Sequence, residues 1–476
     1  MLSKFPASIV YLTRNLHFLI ALFLLTLCVV FWLISIVSYP LNPDAGYYLT
    51  AGKYISHGLV PFRDIHSSYS PGVYYFFGLA DILGSKFGEY QKALIYLLHL
   101  VNGVIVGLIL RQLKFDKDLA SFASILFILS SFCLDGQAIV LEPFQNIFIL
   151  LSLLTAVYLS GYKAACYAGF FIGCALMSKQ TSMFSLPIVA ALIAFPLYFN
   201  LPSAQSKSNL YGRLMIFGIM IGLPFVLFCI LTGQSLIAIF VKLVTFGGRA
   251  QSYMAQEYGL SDVISVFIRG NGGERFLIPI VVTSMIVLFI SKQNIHRLFV
   301  AGVALNLITI LFVRGYPHYI QLIMPWGIFV LVALIKECDF HNKAILCTLV
   351  IIPFISPVLH TAQTLRLQYS KLPIDQQKTL TTKINQYLED GANTIVVGYP
   401  WLYYTSKITP PEYNLSFVQT EQQIKGRIML AEQIIVMPEL VDRFRSVLAD
   451  KYTGKQFYEV NQLAYKKQNV LIYFSR

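Results

Sequence analysis

The sequence predicts an all-α polytopic membrane bundle of about eleven transmembrane helices, followed by a small C-terminal α/β domain. Of its 476 residues, 56% are hydrophobic and only 12% are charged, whereas about a quarter of the residues in soluble domains carry a charge. Apolar runs long enough to cross a bilayer recur as far as residue 359, and the composition then becomes polar. Lipid is therefore the solvent for most of the chain.

The first apolar run, from about Leu16 to Val37, is longer than the roughly 7–15 apolar residues of a signal peptide. We therefore interpret it as a membrane helix that is retained. Later runs of similar character predict the other spans. The predicted spans cover residues 16–38, 93–110, 119–134, 143–160, 164–178, 183–199, 214–231, 277–291, 298–313, 319–335 and 343–359.

Basic residues in the connecting loops predict the orientation. One set of loops holds Lys4, Arg14, Arg111, Lys114, Lys117, Lys163, Lys207, Arg213, Lys292, Arg297, Lys336 and Lys343. The opposite short loops hold little beyond Lys179 and Arg314. Because Lys and Arg are enriched in cytoplasmic loops, the first set is predicted to be cytoplasmic. The N-terminus is then inside and the C-terminal domain outside, in a bacterial inner or plasma membrane.

The same enrichment accounts for the net charge of +13 without a nucleic acid partner. Nucleic acid binding needs basic patches with interleaved aromatic residues, and the sequence lacks them. Six of the seven cysteines lie in apolar runs and no CxxC pair occurs, so they are interpreted as small core residues.

Two domains follow from this pattern: a transmembrane module over residues 1–359 and an extracytoplasmic α/β domain over residues 360–476. The module has two long outer loops, at residues 39–92 and 232–276, with amphipathic stretches typical of helices in the membrane interface. In the tail, the pattern predicts helices at 373–390 and 439–451 and strands at 394–398, 433–437, 457–460 and 470–474.

The first outer loop is the most informative segment. It contains Asn42-Pro-Asp-Ala-Gly-Tyr-Tyr48, Ala51-Gly-Lys-Tyr-Ile-Ser-His-Gly58, Pro61-Phe-Arg-Asp64 and Ser70-Pro-Gly-Val-Tyr-Tyr75. An Asp directly after the first membrane helix, preceded by Pro and followed by aromatic residues, resembles the GT-C superfamily of membrane glycosyltransferases. The order of these residues is most similar to the protein O-mannosyltransferase and lipid A aminoarabinose transferase group.

Three further segments share the resemblance: Leu141-Glu-Pro143, Ser178-Lys-Gln-Thr181 and Arg314-Gly-Tyr-Pro-His-Tyr319. The resemblance implies an inverting transferase that moves a sugar from a polyprenyl-phosphate donor to a glycan, lipid or protein acceptor on the outer face of the membrane. One position departs from the family pattern. The family often has two adjacent acids in the first loop, and here the second is Ala45, which argues against a metal at this spot.

Sugar transfer needs a base near the acceptor hydroxyl and positive groups near the departing phosphate. Asp44 is the predicted base, because a carboxylate beside tyrosines at the membrane surface would have a raised pKa. The alternative is that Asp44 only caps the following helix. Glu142 is the predicted supporting acid, because acids at membrane depth are costly and generally functional. The alternative is a partner for the helix dipole, with Pro143 at the first helical position.

The remaining candidates are outer-facing residues that could bind substrate. They are Tyr48, Arg63, His66, Tyr69, Lys179, Arg249, Arg314, His318 and Tyr319. The arginines and the lysine suit phosphate oxygens, although such residues also anchor helices. The histidines could bind phosphate or a metal, and the tyrosines could stack on a sugar. No motif requires a cofactor. The spacings HxxxH and HExxH, which are typical of metal sites, do not occur, and a divalent metal ion is kept only as an alternative.

Three other classes compete with a hexosyl or pentosyl transferase. An O-antigen ligase or polymerase would share the long outer loops and the lipid-linked substrates. A transporter of a lipid-linked substrate would carry charges near the bilayer midplane, whereas here they gather at the outer helix ends. An oligosaccharyltransferase would need a Trp-Trp-Asp-like segment in the outer domain, where Trp401 stands alone. The C-terminal domain is predicted to bind or orient the acceptor.

Overall fold

The computed structural model describes most of the chain, and the described part is predominantly helical. The described residues are 7–65, 70–201, 208–242, 277–313, 317–337, 340–371, 374–388, 394–398, 401–408, 428, 431–436, 457–465 and 468–474.

The helices, numbered in chain order, overlap every predicted span and part of the first outer loop. They are α1 (Ala7–Ser38), α2 (Pro43–Ser56), α3 (Gly72–Ile82), α4 (Glu89–Gln112), α5 (Lys117–Cys133), α6 (Glu142–Tyr158), α7 (Gly161–Ser178), α8 (Leu186–Ala194), α9 (Leu210–Thr232), α10 (Leu277–Ile290), α11 (Asn294–Val313), α12 (Pro317–Ile320), α13 (Met324–Lys336), α14 (Phe340–Lys371), α15 (Ile374–Tyr387) and α16 (Trp401–Thr405). A 3-10 turn, Gln180–Phe184, links α7 to α8.

These helices make the chain an integral membrane protein. Four stretches within the described ranges are long and apolar enough to cross a bilayer: Leu16–Ser38, Glu89–Gln112, Leu210–Thr232 and Lys343–Gln363. Shorter apolar helices accompany them at Glu142–Tyr158, Gln180–Ala194, Leu277–Ile290, Asn294–Ile308 and Met324–Lys336. The number that cross the membrane, and the side on which each terminus lies, stay predictions.

The chain divides into two compact units, each built from segments far apart in sequence. The first comprises Met1–Leu33, Leu94–Leu236 and Met254–Thr364. The second comprises Ile34–Ala93, Ile237–Tyr253 and Leu365–Arg476, so the first outer loop belongs to the same unit as the tail. The predicted domain boundary near residue 360 stays a prediction.

In the first unit, small residues allow close helix packing. α7 packs between α6 and α9, and Gly173 of α7 faces the backbone of α9. A Cβ atom on Gly173 would lie 2.5 Å from the carbonyl oxygen of Ile221. Ser152 of α6 donates a hydrogen bond of 2.8 Å to the carbonyl of Ala168 in α7. α13 is buried along most of its length and packs against α5, α10 and α11.

In the second unit, residues of the tail hold the first outer loop. The Lys53 ammonium in α2 donates hydrogen bonds to the carbonyls of Tyr403, Tyr404 and Ser406 at 3.1, 3.2 and 3.0 Å. The Gln377 side chain both accepts from and donates to the backbone of Leu41, at 2.9 and 2.8 Å. The loop and the tail are therefore tied together at two places.

Other contacts extend this attachment. The Tyr404 hydroxyl donates to the carbonyl of Ser85 at 2.6 Å, and burial raises the pKa of Tyr404 to about 12. α2 approaches α16 closely, since a Cβ atom on Gly46 would lie 2.6 Å from the Cα atom of Trp401.

The tail contains a four-stranded mixed sheet with strand order β1-β2-β4-β3. The strands are β1 (Thr394–Val397), β2 (Gln433–Val436), β3 (Phe457–Tyr465) and β4 (Gln468–Phe474). β1 and β2 are parallel, with Thr394 opposite Gln433, and the other two pairs are antiparallel. The strands overlap the four predicted segments, while the helix predicted at 439–451 lies outside the described residues.

Candidate active site

Three connections of the first unit meet at one end of the helices. They are the α5–α6 connection with Asp135, the α7–α8 connection with Lys179, and α12 with His318 and Tyr319. Glu142 begins α6 at the same place. The positive-inside rule predicts that all three connections are outer ones. Four of the residues singled out in the sequence (Glu142, Lys179, His318 and Tyr319) therefore come together.

The centre of this site is a buried ion pair. The Lys179 ammonium donates a hydrogen bond to Oε1 of Glu142, and the two side chains are only 4% and 1% exposed. The ammonium also lies 4.1 Å from the centre of the Tyr319 ring, a cation–π contact. Oε2 of Glu142 is buried and has no hydrogen-bond partner among the described residues. The charges of Glu142 and Lys179 are tolerable at this depth because each is paired with the other.

His318 adds a second cationic group. Its Nδ1 atom lies 3.5 Å from Oδ2 of Asp135, and the two side chains are 13% and 38% exposed. Burial opposes protonation of the ring, but the carboxylates of Glu142 and Asp135 outweigh it, so the pKa of His318 is raised above its ordinary value. Asp135 itself has φ +60°, the left-handed region that non-glycine residues adopt at a cost.

Hydrogen bonds from buried amide side chains link these connecting segments to one another. Gln145 donates to the hydroxyl of Thr181 at 3.0 Å, and Asn146 donates to the carbonyl of Gln321 at 3.0 Å. Gln321 in turn donates to the carbonyl of Leu134 at 2.5 Å. α6, the α7–α8 connection and the segment before α13 are thereby fixed relative to each other, which preorganises the charges beside them.

The site also contains four residues that were not predicted from the sequence: Asp135, Gln145, Asn146 and Gln321. A usable signal was present, because Gln145 and Asn146 follow Glu142 directly inside an otherwise apolar helix. Polar side chains in a membrane helix tend to face the bundle interior and to bond across helices.

Asp44 lies in the second unit, in the first turn of α2. The cap of this helix is Asn42, whose side chain accepts a hydrogen bond of 2.6 Å from the backbone N–H of Ala45. Asp44 is therefore not the capping residue, although the positive end of the helix dipole still favours its carboxylate. Tyr48, one turn along, is buried and stacks on Phe77 with ring centres 6.2 Å apart.

Arg63 also lies in the second unit. Its side chain is 53% exposed and forms a forked ion pair with Asp64, with Nη2 2.8 Å from Oδ2. Asp64 accepts a further hydrogen bond of 2.9 Å from the N–H of Val60. The guanidinium holds the pKa of Asp64 below its usual value. Phosphate binding by Arg63 stays a prediction.

The other candidates, His66, Tyr69, Arg249 and Arg314, lie outside the described residues, and their roles stay predictions. Within the described ranges, no three His, Cys, Asp or Glu side chains are grouped so that they could hold a metal ion. Binding of a divalent metal ion stays a prediction.

The fold is similar to that of solved membrane transferases. ArnT from Cupriavidus metallidurans in the apo state matches with a TM-score of 0.58 and 13% identity, over 95% of this chain and 97% of that one. The same protein bound to undecaprenyl phosphate matches with a TM-score of 0.60 and 10% identity, over the same shares. The oligosaccharyltransferase of Archaeoglobus fulgidus in the apo form matches with a TM-score of 0.57 and 12% identity, over 91% of this chain and 71% of that one.

Neither a protein-family model nor a curated protein sequence matches the chain. At these identities the structural likeness establishes the fold alone, and this chain shares that fold with ArnT and with the oligosaccharyltransferase.

Proposed function

We propose that this chain, which shares the fold of ArnT, is a GT-C transferase that moves a sugar from a polyprenyl-phosphate donor to a glycan, lipid or protein acceptor at the outer face of the membrane. One observation carries the proposal: Lys179, Glu142 and His318 form a preorganised, mostly buried charge cluster at a single end of the helices. Such a cluster suits a reaction in which negative charge develops on a departing phosphate. The ArnT structure with undecaprenyl phosphate supports a carrier of that chemical class.

The reaction is a single displacement at the anomeric carbon. The acceptor hydroxyl oxygen forms the new glycosidic bond while the bond from the anomeric carbon to the phosphate oxygen breaks, and its electron pair leaves with the polyprenyl phosphate. The hydroxyl proton passes to the carboxylate of Asp44, the general base. Lys179 and protonated His318 stabilise the phosphate that is released. A single displacement inverts the anomeric configuration.

Glu142 acts through Lys179. The Glu142 carboxylate is too deeply buried to contact an acceptor, and it forms an ion pair with the Lys179 ammonium. Glu142 is therefore a positioning residue that holds the Lys179 ammonium at the site.

The placement of charges favours this function over transport. In the described part of the first unit, the Asp, Glu, Lys and Arg residues lie at helix ends or in connections, except Arg14, which lies in α1 just before the apolar stretch Leu16–Ser38. Transporters of the repeat class carry such residues near the bilayer midplane, on broken helices.

The test is sugar transfer by the purified full chain in detergent, with labelled polyprenyl-phosphate sugars and crude envelope acceptors. We expect the wild type to turn over one donor class and Asp44→Asn to lose at least about 100-fold in rate. The matched control is Asp375→Asn, since Asp375 also lies in the first turn of a helix of the second unit and is 80% exposed. The control should retain full activity.

Two outcomes would contradict the proposal. Full activity of Asp44→Asn would remove Asp44 as the base. Failure of the folded wild type to use any donor, together with lipid movement in vesicles, would assign the chain to transport.

A further inference from the structure

The first unit has a second polar site, a pocket of about 220 Å³ at the end of the helices that is predicted to be cytoplasmic. It is formed by the ends of α4 and α13, the start of α11 and the connection that follows α8. One water molecule takes up roughly 30 Å³ in the liquid, and drug-sized sites begin at roughly 300 Å³. The pocket is therefore suited to a small polar group.

The pocket is positively charged. Among the described residues, its lining includes Lys114 and Lys336 and no carboxylate. Within the described ranges neither lysine forms an ion pair: Asp116 lies 3.7 Å from Lys343, and the Lys336 ammonium lies 4.3 Å from the centre of the Phe115 ring. Both ammonium groups can therefore attract a ligand that brings its own negative charge.

Four amide side chains line the same pocket, at Gln112, Asn200, Gln293 and Asn294. Amide N–H groups donate to anionic oxygens and supply orientation as well as attraction. Asn294 is held in place by a hydrogen bond of 3.1 Å from its Nδ2 to the carbonyl of Tyr198. Lysines combined with neutral donors match a phosphate ester better than they match a metal or an apolar ligand.

The backbone is strained where it presents two of these residues. Lys114 has φ +61° and Asn200 has φ +52°. Lys114 follows the end of α4, where its N–H and that of Phe115 bond back to the helix, a position at which glycine is usual. A lysine there is conformationally unfavourable, and the turn holds its side chain at the pocket.

The rim of the pocket is apolar and exposed. In the connection after α8, Leu197 and Tyr198 are 73% and 60% exposed, directly before the pocket-lining Phe199 and Asn200. In a membrane, these side chains would contact acyl chains. The combination of a cationic pocket and an apolar rim fits an amphiphile whose headgroup carries phosphate.

We propose that this pocket binds the phosphate headgroup of an anionic phospholipid of the cytoplasmic leaflet. Lys114 and Lys336 neutralise the phosphate, the amides orient it, and Leu197 and Tyr198 contact the acyl chains. Anionic lipids are concentrated in that leaflet, and each lysine near its surface contributes attraction. The site lies away from the sugar-transfer site, so its test does not depend on activity.

The experiment measures lipid binding to the purified full chain in detergent by native mass spectrometry and by thermal shift. The probes are phosphatidylglycerol, phosphatidylethanolamine with the same acyl chains, and inorganic phosphate. We expect phosphatidylglycerol to bind best and each of Lys114→Gln and Lys336→Gln to weaken it about 5-fold. Lys163→Gln is the control, since Lys163 is exposed in the first turn of α7, at an end that is also predicted to be cytoplasmic, and does not line the pocket.

Lys114→Gly keeps the test decisive if the Gln variants fold poorly, because glycine relieves the strained backbone while it removes the charge. It should be at least as stable as the wild type without lipid and still bind phosphatidylglycerol more weakly. Equal binding of the two lipids, or unchanged binding in the pocket variants, would overturn the proposal. If inorganic phosphate raises the melting temperature as much as phosphatidylglycerol does, the pocket binds a free anion, and the lipid proposal is overturned.

Discussion

The ammonium of Lys179 and the carboxylate of Glu142, 37 positions apart in the chain, form an ion pair that is almost completely shielded from solvent. Lys179 follows α7 and Glu142 begins α6, while the ring of Tyr319 from a third connection packs on the ammonium. Because neither charge is tolerable alone in this environment, the pair constrains all three connections.

The first prediction concerns the stability of this pair. Lys179→Met should cost about 3–5 kcal/mol, because it leaves the Glu142 carboxylate buried without a partner, and Glu142→Gln should cost a similar amount. The double variant Lys179→Met/Glu142→Gln removes both charges and should recover most of that loss. Thermal unfolding in detergent measures all three. A double variant whose loss equals the sum of the single losses would show that the two residues are not coupled.

The second prediction concerns the transfer rate of the same double variant. If Lys179 binds the departing phosphate, the double variant should be folded and yet transfer sugar at least about 100-fold more slowly than the wild type. Its melting temperature and its transfer rate would be measured on the same preparation. Wild-type activity in the double variant would leave the pair with a purely structural role.

The third prediction follows from the raised pKa of His318. The folded state binds the ring proton more tightly than the unfolded state does. The resulting stabilisation is complete below the ordinary histidine pKa of about 6.5 and is lost as the pH rises through the raised pKa. The melting temperature should therefore fall over that window in the wild type and fall less in His318→Gln. His360→Gln, at an exposed position on α14, should keep the wild-type slope.

The fourth prediction concerns Lys53, whose ammonium donates to three carbonyls of the tail. Lys53→Met should destabilise the second unit by about 2–3 kcal/mol, because buried carbonyls lose a charged donor. Lys86→Met is the control, since Lys86 is exposed in the same unit. Limited proteolysis of the tail should be faster in Lys53→Met alone. Equal cleavage rates in the two variants would contradict the assigned role.

The fifth prediction compares glycines in two adjacent helices. Gly173→Ala should destabilise the bundle by about 1–3 kcal/mol, because its new methyl group would press on the backbone of α9. Gly222→Ala on α9 has open space and should be neutral or stabilising by up to about 1 kcal/mol. Thermal unfolding would decide, and a neutral Gly173→Ala would show that the helices can separate without cost.

Hydropathy was sufficient to locate the helices of the bundle, because length and apolarity are what the bilayer selects. It was less reliable at their ends. The span predicted at 183–199 contains a 3-10 turn followed by α8, which stops at Ala194. Pro196 explains the stop, since the residue before a proline disfavours the helical conformation, and the Phe195 backbone lies outside the helical region with φ −127° and ψ 51°.

Several residues of the candidate site could be predicted from the sequence, but the contacts between them could not. Glu142, Lys179, His318 and Tyr319 were named from the sequence, but a contact between residues 37 positions apart depends on the packing of whole helices. The cap of α2 could have been assigned from sequence. Pro43 occupies the first helical turn, which makes Asn42 the cap and leaves Asp44 inside the helix.

The attachment of the first outer loop to the tail also has a consequence for biogenesis. Lys53 and Ser406 are 353 positions apart, and ribosomes add roughly 5–20 residues per second. The loop therefore emerges roughly 20–70 s before its partner exists. During that interval its aromatic helices lack the contacts that the tail supplies, so a stalled or truncated nascent protein would expose them to quality-control proteases.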